Sequence, residues 1–402
     1  MDAAVTLADV ERARPAVERI AVRTPTLTSA TLSARLGGTI VLKAEHLQRT
    51  GAFKIRGAAA KLAALGDGAR AGVVAGSAGN HAQALALAAR HAGVPAEIYV
   101  PKGASIAKMA ACRGYGGIVH EVGDAVEEAV TAARERAATS GMVFCHPYDD
   151  EAVVAGQGTI GMEIAEDVPD LATVVVPLGG GGMLSGIATA VAALRPGVRI
   201  VGVQAEVCAP FAGRPAPRGA VSTLADGIAV KQPGAITRPI IDELVDEIVT
   251  VDEDEIADAM ILLLERSKFT VEGGGAVGVA ALLAGKVAPA ASGTTCVVLS
   301  GGNLDLGLLP NLIRRHETAA HRRALLFVRV SDRPGGLAHL LQLVAESGAN
   351  VIDVIHVREG VDLHVRESGL QLALEVRGRD HAAGVVGALE AAGFATTDLG
   401  TR

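Results

Sequence analysis

The chain has 402 residues, half of them apolar, so it is long enough for two or three domains and is not a disordered polymer. Its 37 basic and 44 acidic residues give a formal net charge of −7, which argues against nucleic acid as the main partner. Its four cysteines are scattered without a C-x-x-C pair, which indicates a reducing compartment and argues against a disulfide framework or a zinc site.

The N-terminal stretch lacks the features of a secretion signal, because acidic residues such as Asp9 and Glu11 stand where a basic segment is needed. Residues 173–194 carry no charge and are long enough to span a bilayer. However, Pro177 and the glycines that follow it would leave backbone polar groups unsatisfied in lipid. We therefore expect a cytoplasmic protein with no membrane partner.

The first 300 residues alternate strands and helices. Thr6 and Asp9 form a capping-box pattern that predicts an amphipathic helix to about Val22. Strands are predicted at 39–45, 72–75, 97–100, 118–121, 174–176, 199–204, 247–251 and 295–299. Helices are predicted at 54–65, 106–112 and 125–139. Two more are predicted to begin after the loop that ends near residue 83 and at 156–159. This order predicts a parallel sheet with right-handed crossovers.

The junction after residues 174–176 contains four consecutive glycines, namely Gly179, Gly180, Gly181 and Gly182. Glycine adopts positive φ at no steric cost, and the following helix presents bare N–H groups, so the loop predicts a phosphate site. The alternative is a strand-to-helix turn that is merely rich in glycine. The loop fits neither the dinucleotide fingerprint nor a Walker motif, so we do not expect a nucleoside polyphosphate.

Two earlier junctions carry polar groups. Lys54 lies between Phe53 and Ile55, where partial desolvation would lower its pKa and free its amine as a nucleophile or base. The alternative is a surface lysine whose stem packs at a helix start. The loop from Ser77 to His81 precedes a helix and could bind a carboxylate, although an ordinary N-capped helix is about as good an explanation.

Two further features lie near residue 300. Gly273, Gly275 and Gly278 match the G-x-G-x-x-G pattern, but a poor strand precedes them and no well-placed acid follows, so we do not expect a nucleotide there. Ser300 follows the predicted strand 295–299, at the edge where ligands bind in open α/β sheets.

Beyond a basic stretch near residues 316–323 the pattern changes. Strands are predicted at 324–330, 351–357, 370–376 and 395–398, and helices at 337–347 and 380–392. This βαββαβ order is typical of a ferredoxin-like module.

A phosphate loop without a nucleotide signature, a candidate amine nucleophile and a carboxylate loop together fit pyridoxal 5′-phosphate (PLP). The same stretches resemble those of threonine ammonia-lyase (threonine dehydratase), a family of fold-type II PLP enzymes. The motifs that carry the resemblance are Phe53-Lys54-Ile55-Arg56-Gly57-Ala58, residues 77–83, residues 156–161, the four glycines and Ser300-Gly301-Gly302-Asn303. The last module resembles an ACT regulatory domain, with residues 332–336 as its turn.

The resemblance implies an α/β fold of two open parallel-sheet subdomains, similar to the tryptophan synthase β-subunit, followed by the ferredoxin-like module. It implies β-elimination of L-threonine, and also of L-serine, to 2-oxobutanoate or pyruvate and ammonia. A homo-oligomer, tetramer or dimer, is expected.

The resemblance also implies roles for individual residues. Lys54 would hold the cofactor as a Schiff base and act as general base, Phe53 would pack against the cofactor, and Ser300 would face the pyridine nitrogen. The phosphate would be bound by Gly179, Gly180, Gly181, Gly182 and Met183. Asn80 would bind the 3′-oxygen, and the substrate carboxylate would lie at Ser77, Ala78, Gly79, Asn80 and His81.

Three alternatives are weighed and disfavoured. A serine racemase of the same fold needs a second acid–base group, which similar enzymes supply with a serine at the position of Ala78. Those enzymes also bind a divalent metal through an acid at the position of Gln204, so no metal is expected here, although Glu206 lies nearby. A non-catalytic amino-acid sensor and a nucleotide-dependent dehydrogenase are the other two.

The expected domains are a catalytic domain at 1–316 with a smaller subdomain at about 43–150, a linker at 317–323 and a regulatory domain at 324–402. A branched-chain amino acid is expected to bind near Arg333, Gly335, Gly336 and Leu337. The alternative is a module that serves only for packing between subunits.

Overall fold

The computed structural model describes residues 4–219, 221–359 and 363–400. The chain divides into two compact units, Met1–Asp305 and Leu306–Arg402. This division lies ahead of the expected linker at 317–323, whose first residues belong to a helix instead. The functional boundaries of the expected catalytic and regulatory domains stay predictions.

The first unit contains ten strands among its described residues. They are β1 (Thr26–Thr28), β2 (Thr39–Lys43), β3 (Val73–Gly76), β4 (Ala96–Val100), β5 (Ile118–Glu121), β6 (Val143–Phe144), β7 (Leu171–Pro177), β8 (Arg199–Ala205), β9 (Glu247–Val251) and β10 (Thr294–Val298). They form a six-stranded sheet in the order β1-β2-β10-β7-β8-β9 and a four-stranded sheet in the order β5-β4-β3-β6. All neighbours pair in parallel except β1 with β2. The two expected open parallel-sheet subdomains are therefore confirmed.

Helices cover these sheets. They are α1 (Leu7–Ile20), α2 (Ala30–Leu36), α3 (Lys54–Leu65), α4 (Asn80–Ala92), α5 (Ile106–Gly114), α6 (Val126–Ser140), α7 (Glu151–Asp167), α8 (Gly182–Leu194), α9 (Thr237–Leu244), α10 (Glu253–Leu262) and α11 (Gly273–Leu283). The β-branched residues of β7 are buried, as expected for a central strand with helices on both faces. Among the described residues, no helix is long and apolar enough to cross a bilayer.

Two glycine motifs lie inside helices. For the motif at 156–159 this differs from the expected helix start. Gly156 is in the middle of α7, where a Cβ would come within 2.6 Å of the Arg56 carbonyl oxygen. Gly275 is inside α11, where a Cβ would come within 2.7 Å of the Gly301 carbonyl oxygen. In both cases glycine permits close packing of a helix, so the G-x-G-x-x-G match has a structural cause.

A buried charge network joins β2, α3 and α7 beneath the start of α3. The guanidinium of Arg56 donates to Glu45 (Nε to Oε2, 2.9 Å) and to Glu163 (Nη1 to Oε1, 2.7 Å). Lys43 Nζ donates to the same Glu163 at 2.6 Å and to the Thr24 carbonyl oxygen at 2.7 Å. Two cations thus balance two carboxylates, which is what buried charges require.

The second unit is the expected βαββαβ module preceded by a helix. Its elements are α12 (Leu309–Ala319), β11 (Arg323–Ser331), α13 (Gly336–Glu346), β12 (Asn350–Val357), β13 (Glu367–Glu375), α14 (Arg379–Ala391) and β14 (Thr396–Asp398). The strands form an antiparallel sheet in the order β12-β13-β11-β14. Alternate residues of β11, such as Leu326 and Val328, are buried in a core with Leu340 and Leu389 of the two helices. The ferredoxin-like fold is confirmed.

Candidate active site

Lys54 is the first residue of α3, and its side chain is half-buried in the first unit. Two short 3₁₀ turns connect β2 to α3, so the lysine follows a turn rather than the expected strand. Its Nζ donates to the Pro147 carbonyl oxygen at 2.8 Å and lies 5.1 Å from the centroid of the Phe53 ring. Burial lowers the pKa of Lys54 to about 8, although the charge of Glu272 acts in the opposite direction. The uncharged amine needed for a nucleophile or base is therefore accessible near neutral pH.

Asn80 lies at the start of α4 and belongs to a chain of three polar side chains. Its Nδ2 donates to Glu272 Oε1 at 2.7 Å, and its Oδ1 accepts from Asn303 Nδ2 at 2.7 Å. Burial raises the pKa of Glu272 to about 7, with a further increase from Asp226. A carboxyl that titrates near neutrality thus lies one hydrogen bond from the residue expected at the cofactor's 3′-oxygen.

Ser300 follows β10 and is placed beside the start of α3 by the backbone. The amide N–H of Phe53 donates to the Ser300 carbonyl oxygen at 3.1 Å, and Ala52 forms an isolated bridge with Gly301. The Ser300 hydroxyl is buried, and its nearest acceptor is the Gly274 carbonyl oxygen at 3.4 Å. Because this contact is weak, the neutral Ser300 hydroxyl can form a stronger hydrogen bond with a bound ligand.

The four glycines connect β7 to α8. Gly181 has φ of +100°, a conformation that favours glycine, and Gly182 begins the helix. The N–H groups of Gly182 and Met183 lie in the first helical turn, where no carbonyl of the same helix can accept from them. The Gly180 carbonyl oxygen accepts from Thr237 Oγ1 at 2.7 Å, which holds the loop against α9. This loop is suited to bind an anion such as a phosphate group.

Residues 77–81 comprise the turn before α4 and the first two residues of that helix. Ser77 Oγ accepts from the Gly79 N–H at 3.3 Å, which shapes the turn that ends in the first N–H groups of α4. The side chain of His81 is buried, and its Nε2 lies 3.0 Å from the Cys145 carbonyl oxygen. Burial lowers the pKa of His81 to about 3, so its imidazole is neutral and structural, and only its backbone is placed to meet a carboxylate.

The predicted site residues offer chemistry that is compatible with PLP, and their individual roles stay predictions. Lys54, the glycine loop, the Asn80 amide and the Ser300 hydroxyl offer an amine nucleophile, anion donors and two neutral polar groups. Chain contacts connect Phe53 to Ser300 directly, and Lys54 to the glycine loop through residues 147 and 148. The residues expected to bind an effector belong to the second unit, namely Arg333, Gly335, Gly336 and Leu337.

Sequence reasoning missed Glu272 and Tyr148. Glu272 is the only ionisable residue in the stretch 269–283, and an isolated acid among apolar and glycine residues is a signal of a buried polar role. Tyr148 is one of only three tyrosines, and it lies in a polar loop that received no role from the sequence.

The residues at the end of β8 do not fit a divalent cation. Gln204 is fully buried, and its Oε1 accepts from the backbone N–H groups of Phe211 (3.0 Å) and Ala212 (3.2 Å). Glu206 is paired with Arg214 at 2.7 Å. Among the residues that the structure describes, no group of three or more His, Cys, Asp or Glu side chains could hold a metal ion.

One short segment, residues 147 and 148, links the amine of Lys54 to the anion-binding glycine loop. This arrangement, in a fold with two parallel sheets, is typical of enzymes that hold a phosphorylated carbonyl cofactor on a lysine. The chain belongs to the pyridoxal-phosphate dependent enzyme family, which matches residues 17–301.

Relatives within the family are similar over most of their length. A protein of Thermotoga maritima named L-threonine ammonia-lyase is 42% identical over 402 residues, covering 98% of this chain and 100% of its own. The crystal structure of the threonine deaminase of T.th. has a TM-score of 0.70 at 39% identity, covering 75% of this chain and 99% of its own. Maize serine racemase has a TM-score of 0.72 at 34% identity, covering 79% of this chain and 99% of its own.

Proposed function

We propose that the protein is a PLP-dependent L-threonine ammonia-lyase that converts L-threonine to 2-oxobutanoate and ammonia, and L-serine to pyruvate and ammonia. The observation that carries the proposal is the half-buried Lys54 at the start of α3, whose Nζ donates to the Pro147 carbonyl oxygen at 2.8 Å and whose pKa is lowered by burial to about 8. The match to the Thermotoga maritima relative named L-threonine ammonia-lyase, over nearly the whole of both chains, supports the same reaction.

PLP, when bound, supplies a carbonyl that joins amines and a ring that accepts electron density from the substrate Cα. The protein supplies the base and the hydrogen-bond donors that the cofactor does not carry. Lys54 is the base that takes the Cα proton, and its lowered pKa keeps a useful fraction of the amine uncharged. The N-terminal N–H groups of α4 orient the substrate carboxylate, and those of α8 hold the phosphate.

The neutral side chains at the positions expected beside the cofactor would favour elimination. Ser300 would offer a neutral hydroxyl to the pyridine nitrogen, where an aspartate would hold that nitrogen protonated. PLP bound here would therefore supply a weaker electron sink, which favours prompt loss of the β-hydroxyl. Asn80 would meet the 3′-oxygen through an amide that is itself held by Glu272 and Asn303.

Purified protein supplied with PLP is expected to absorb visible light, and borohydride should fix the mass of the cofactor on Lys54. Lys54→Ala should remove both signals and the release of ammonia from L-threonine. Lys61→Ala, which changes another lysine of α3, is the matched control and should keep the label on Lys54. A colourless, unlabelled wild-type protein would sink the proposal.

Serine racemase activity is the second candidate, because maize serine racemase has the same fold at 34% identity. Racemisation needs a proton donor on the opposite face of the ring, and Ala78 has no group that transfers a proton. We expect ammonia and pyruvate from L-serine without D-serine. Chiral chromatography of a complete reaction distinguishes the two activities, and a D-serine peak above the buffer blank would favour the racemase.

The second unit is the proposed site of a branched-chain amino-acid effector. Gly335 has φ of +91°, and a Cβ on Gly336 would come within 2.8 Å of the Ser331 carbonyl oxygen, so both glycines shape the turn before α13. Asp332 pairs with Arg358 at 2.9 Å beside this turn, and Leu337 exposes its side chain. The first N–H groups of α13 can receive a carboxylate, and Leu337 an aliphatic side chain.

The solved threonine deaminase covers only 75% of this chain at 99% of its own length, which is consistent with chemistry in the first unit and a separate role for the second. Calorimetry with isoleucine and valine tests the effector proposal, with Gly336→Val as a variant that blocks the turn. Binding to the wild type and none to the variant is expected. No heat with either amino acid would favour a module used only for packing between subunits. The enzyme is proposed to be a cytoplasmic dimer or tetramer.

A further inference from the structure

The aromatic ring of Tyr148 lies directly against the glycine loop. An ideal Cβ on Gly180 would be 2.5 Å from Cδ1, Cδ2 and Cε1 of Tyr148. Equal distances to atoms on both sides of the ring place the Gly180 backbone over the ring face. Gly180 does not have a positive φ, so the backbone conformation would accept an alanine, and the ring is what excludes a side chain.

Tyr148 is itself held on several sides. His146 Nδ1 accepts from the N–H of Asp149 at 2.8 Å, and the His146 ring meets the Tyr148 ring edge-on at 4.6 Å. The Asp149 carboxylate accepts from the N–H groups of Ala235 (2.9 Å) and Ile236 (2.7 Å), just before α9. The segment therefore has little freedom to move away from the loop.

The same segment reaches the catalytic lysine, because the carbonyl oxygen of Pro147 accepts from Lys54 Nζ. Adjacent residues of one segment thus contact the amine and the glycine loop. Because this segment is rigid, it fixes the distance between Lys54 and the glycine loop, which would hold opposite ends of one cofactor.

We propose that Tyr148 is a positioning residue that holds the four-glycine loop in its phosphate-binding shape through the stack on Gly180. This inference rests on the proposed function, in which the loop binds the PLP phosphate. The ring does the positioning, and the hydroxyl, which donates to the Gln232 carbonyl oxygen at 3.2 Å, adds little.

The first test compares binding of PLP with binding of pyridoxal, which lacks the phosphate, by absorbance titration of the apoprotein. Tyr148→Ala should raise the Kd for PLP at least about tenfold, and leave the Kd for pyridoxal within about twofold, because only the phosphate uses the loop. Tyr148→Phe keeps the ring and should bind PLP within about twofold of the wild type. Tyr115→Ala removes a partly buried ring that contacts Arg90 instead and is the matched control.

The outcomes separate this inference from the function on which it rests. If the wild type binds PLP and pyridoxal equally, the phosphate site itself is wrong. If the wild type prefers PLP and Tyr148→Ala keeps that preference, Tyr148 is not a positioning residue.

A double-mutant cycle with Gly180→Ala tests the contact itself. Gly180→Ala alone should raise the Kd for PLP at least about tenfold, but less than about threefold when added to Tyr148→Ala, because the ring has gone. Gly182→Ala is the control, since its Cβ would meet Tyr148 Cβ and O at 2.9 Å, atoms that an alanine retains. Its penalty should persist in both backgrounds. Additive effects of Gly180→Ala and Tyr148→Ala would overturn the proposal. Tyr148→Val, which has no δ atoms, replaces Tyr148→Ala in the same cycle should the latter fail to fold.

Discussion

Glu272→Gln should stabilise the apoprotein at alkaline pH. Burial raises the pKa of Glu272 from 4.5 to about 7, so the folded protein binds more protons than the unfolded chain between these two pH values. The free energy of unfolding therefore falls as pH rises through this window and stays lower above it. At 1.36 kcal/mol for each tenfold change in proton affinity, the loss is about 3 kcal/mol above pH 8. Glutamine keeps an oxygen that can accept from Asn80 and carries no charge, so the variant should escape this loss.

Urea unfolding of the apoproteins at pH 5 and pH 8 measures the effect as the difference between variant and wild type, which cancels the titration of all other groups. We expect a difference of about 1 kcal/mol in favour of the variant at pH 5, which rises to about 3 kcal/mol at pH 8. Glu390→Gln, on an exposed face of α14, is the control and should show no such difference. A Glu272→Gln variant with the same pH dependence as the wild type would refute the idea that this carboxyl is held protonated by burial.

Three more substitutions test other parts of the structure. Arg56→Lys cannot contact Glu45 and Glu163 together, so it should destabilise the protein by about 3 kcal/mol in urea unfolding; a loss below about 1 kcal/mol would mean that the network is not essential. Gly181→Asp places a carboxylate at the start of α8 and should reduce both PLP affinity and turnover far more than the uncharged Gly181→Asn, and equal effects would point to backbone strain instead. Ala78→Ser adds a hydroxyl in the substrate loop and should produce D-serine from L-serine, detected by chiral chromatography; its absence would show that a hydroxyl at this position is insufficient.

The parts of the fold that the sequence predicts well are those with a local cause. The capping box of Thr6 and Asp9 and the β-branched run of β7 each depend on neighbours in sequence, and both appear where expected. The stretch 156–159 is predicted to begin a helix, but it lies inside α7. The close approach of the Arg56 carbonyl to Gly156, a contact far apart in sequence, reverses that interpretation.

The same distinction holds for the site. Lys54, the glycine loop and Ser300 follow strands or begin helices, and that position could be read from the sequence. The contacts made by distant residues could not, because Glu272 reaches Asn80 across 192 residues and Tyr148 meets Gly180 on another loop. Such contacts depend on tertiary packing, for which a single sequence carries only indirect signals such as the isolated acid at 272.

The stack of Tyr148 on Gly180 also has a photophysical consequence. The chain has no tryptophan and only three tyrosines, so its ultraviolet emission comes from tyrosine alone and one of three emitters lies on the glycine loop. Subtracting the emission spectrum of Tyr148→Phe from that of the wild type isolates this single fluorophore. Ligand binding to the loop can then be followed by the fluorescence of a native residue, without a dye or an introduced label.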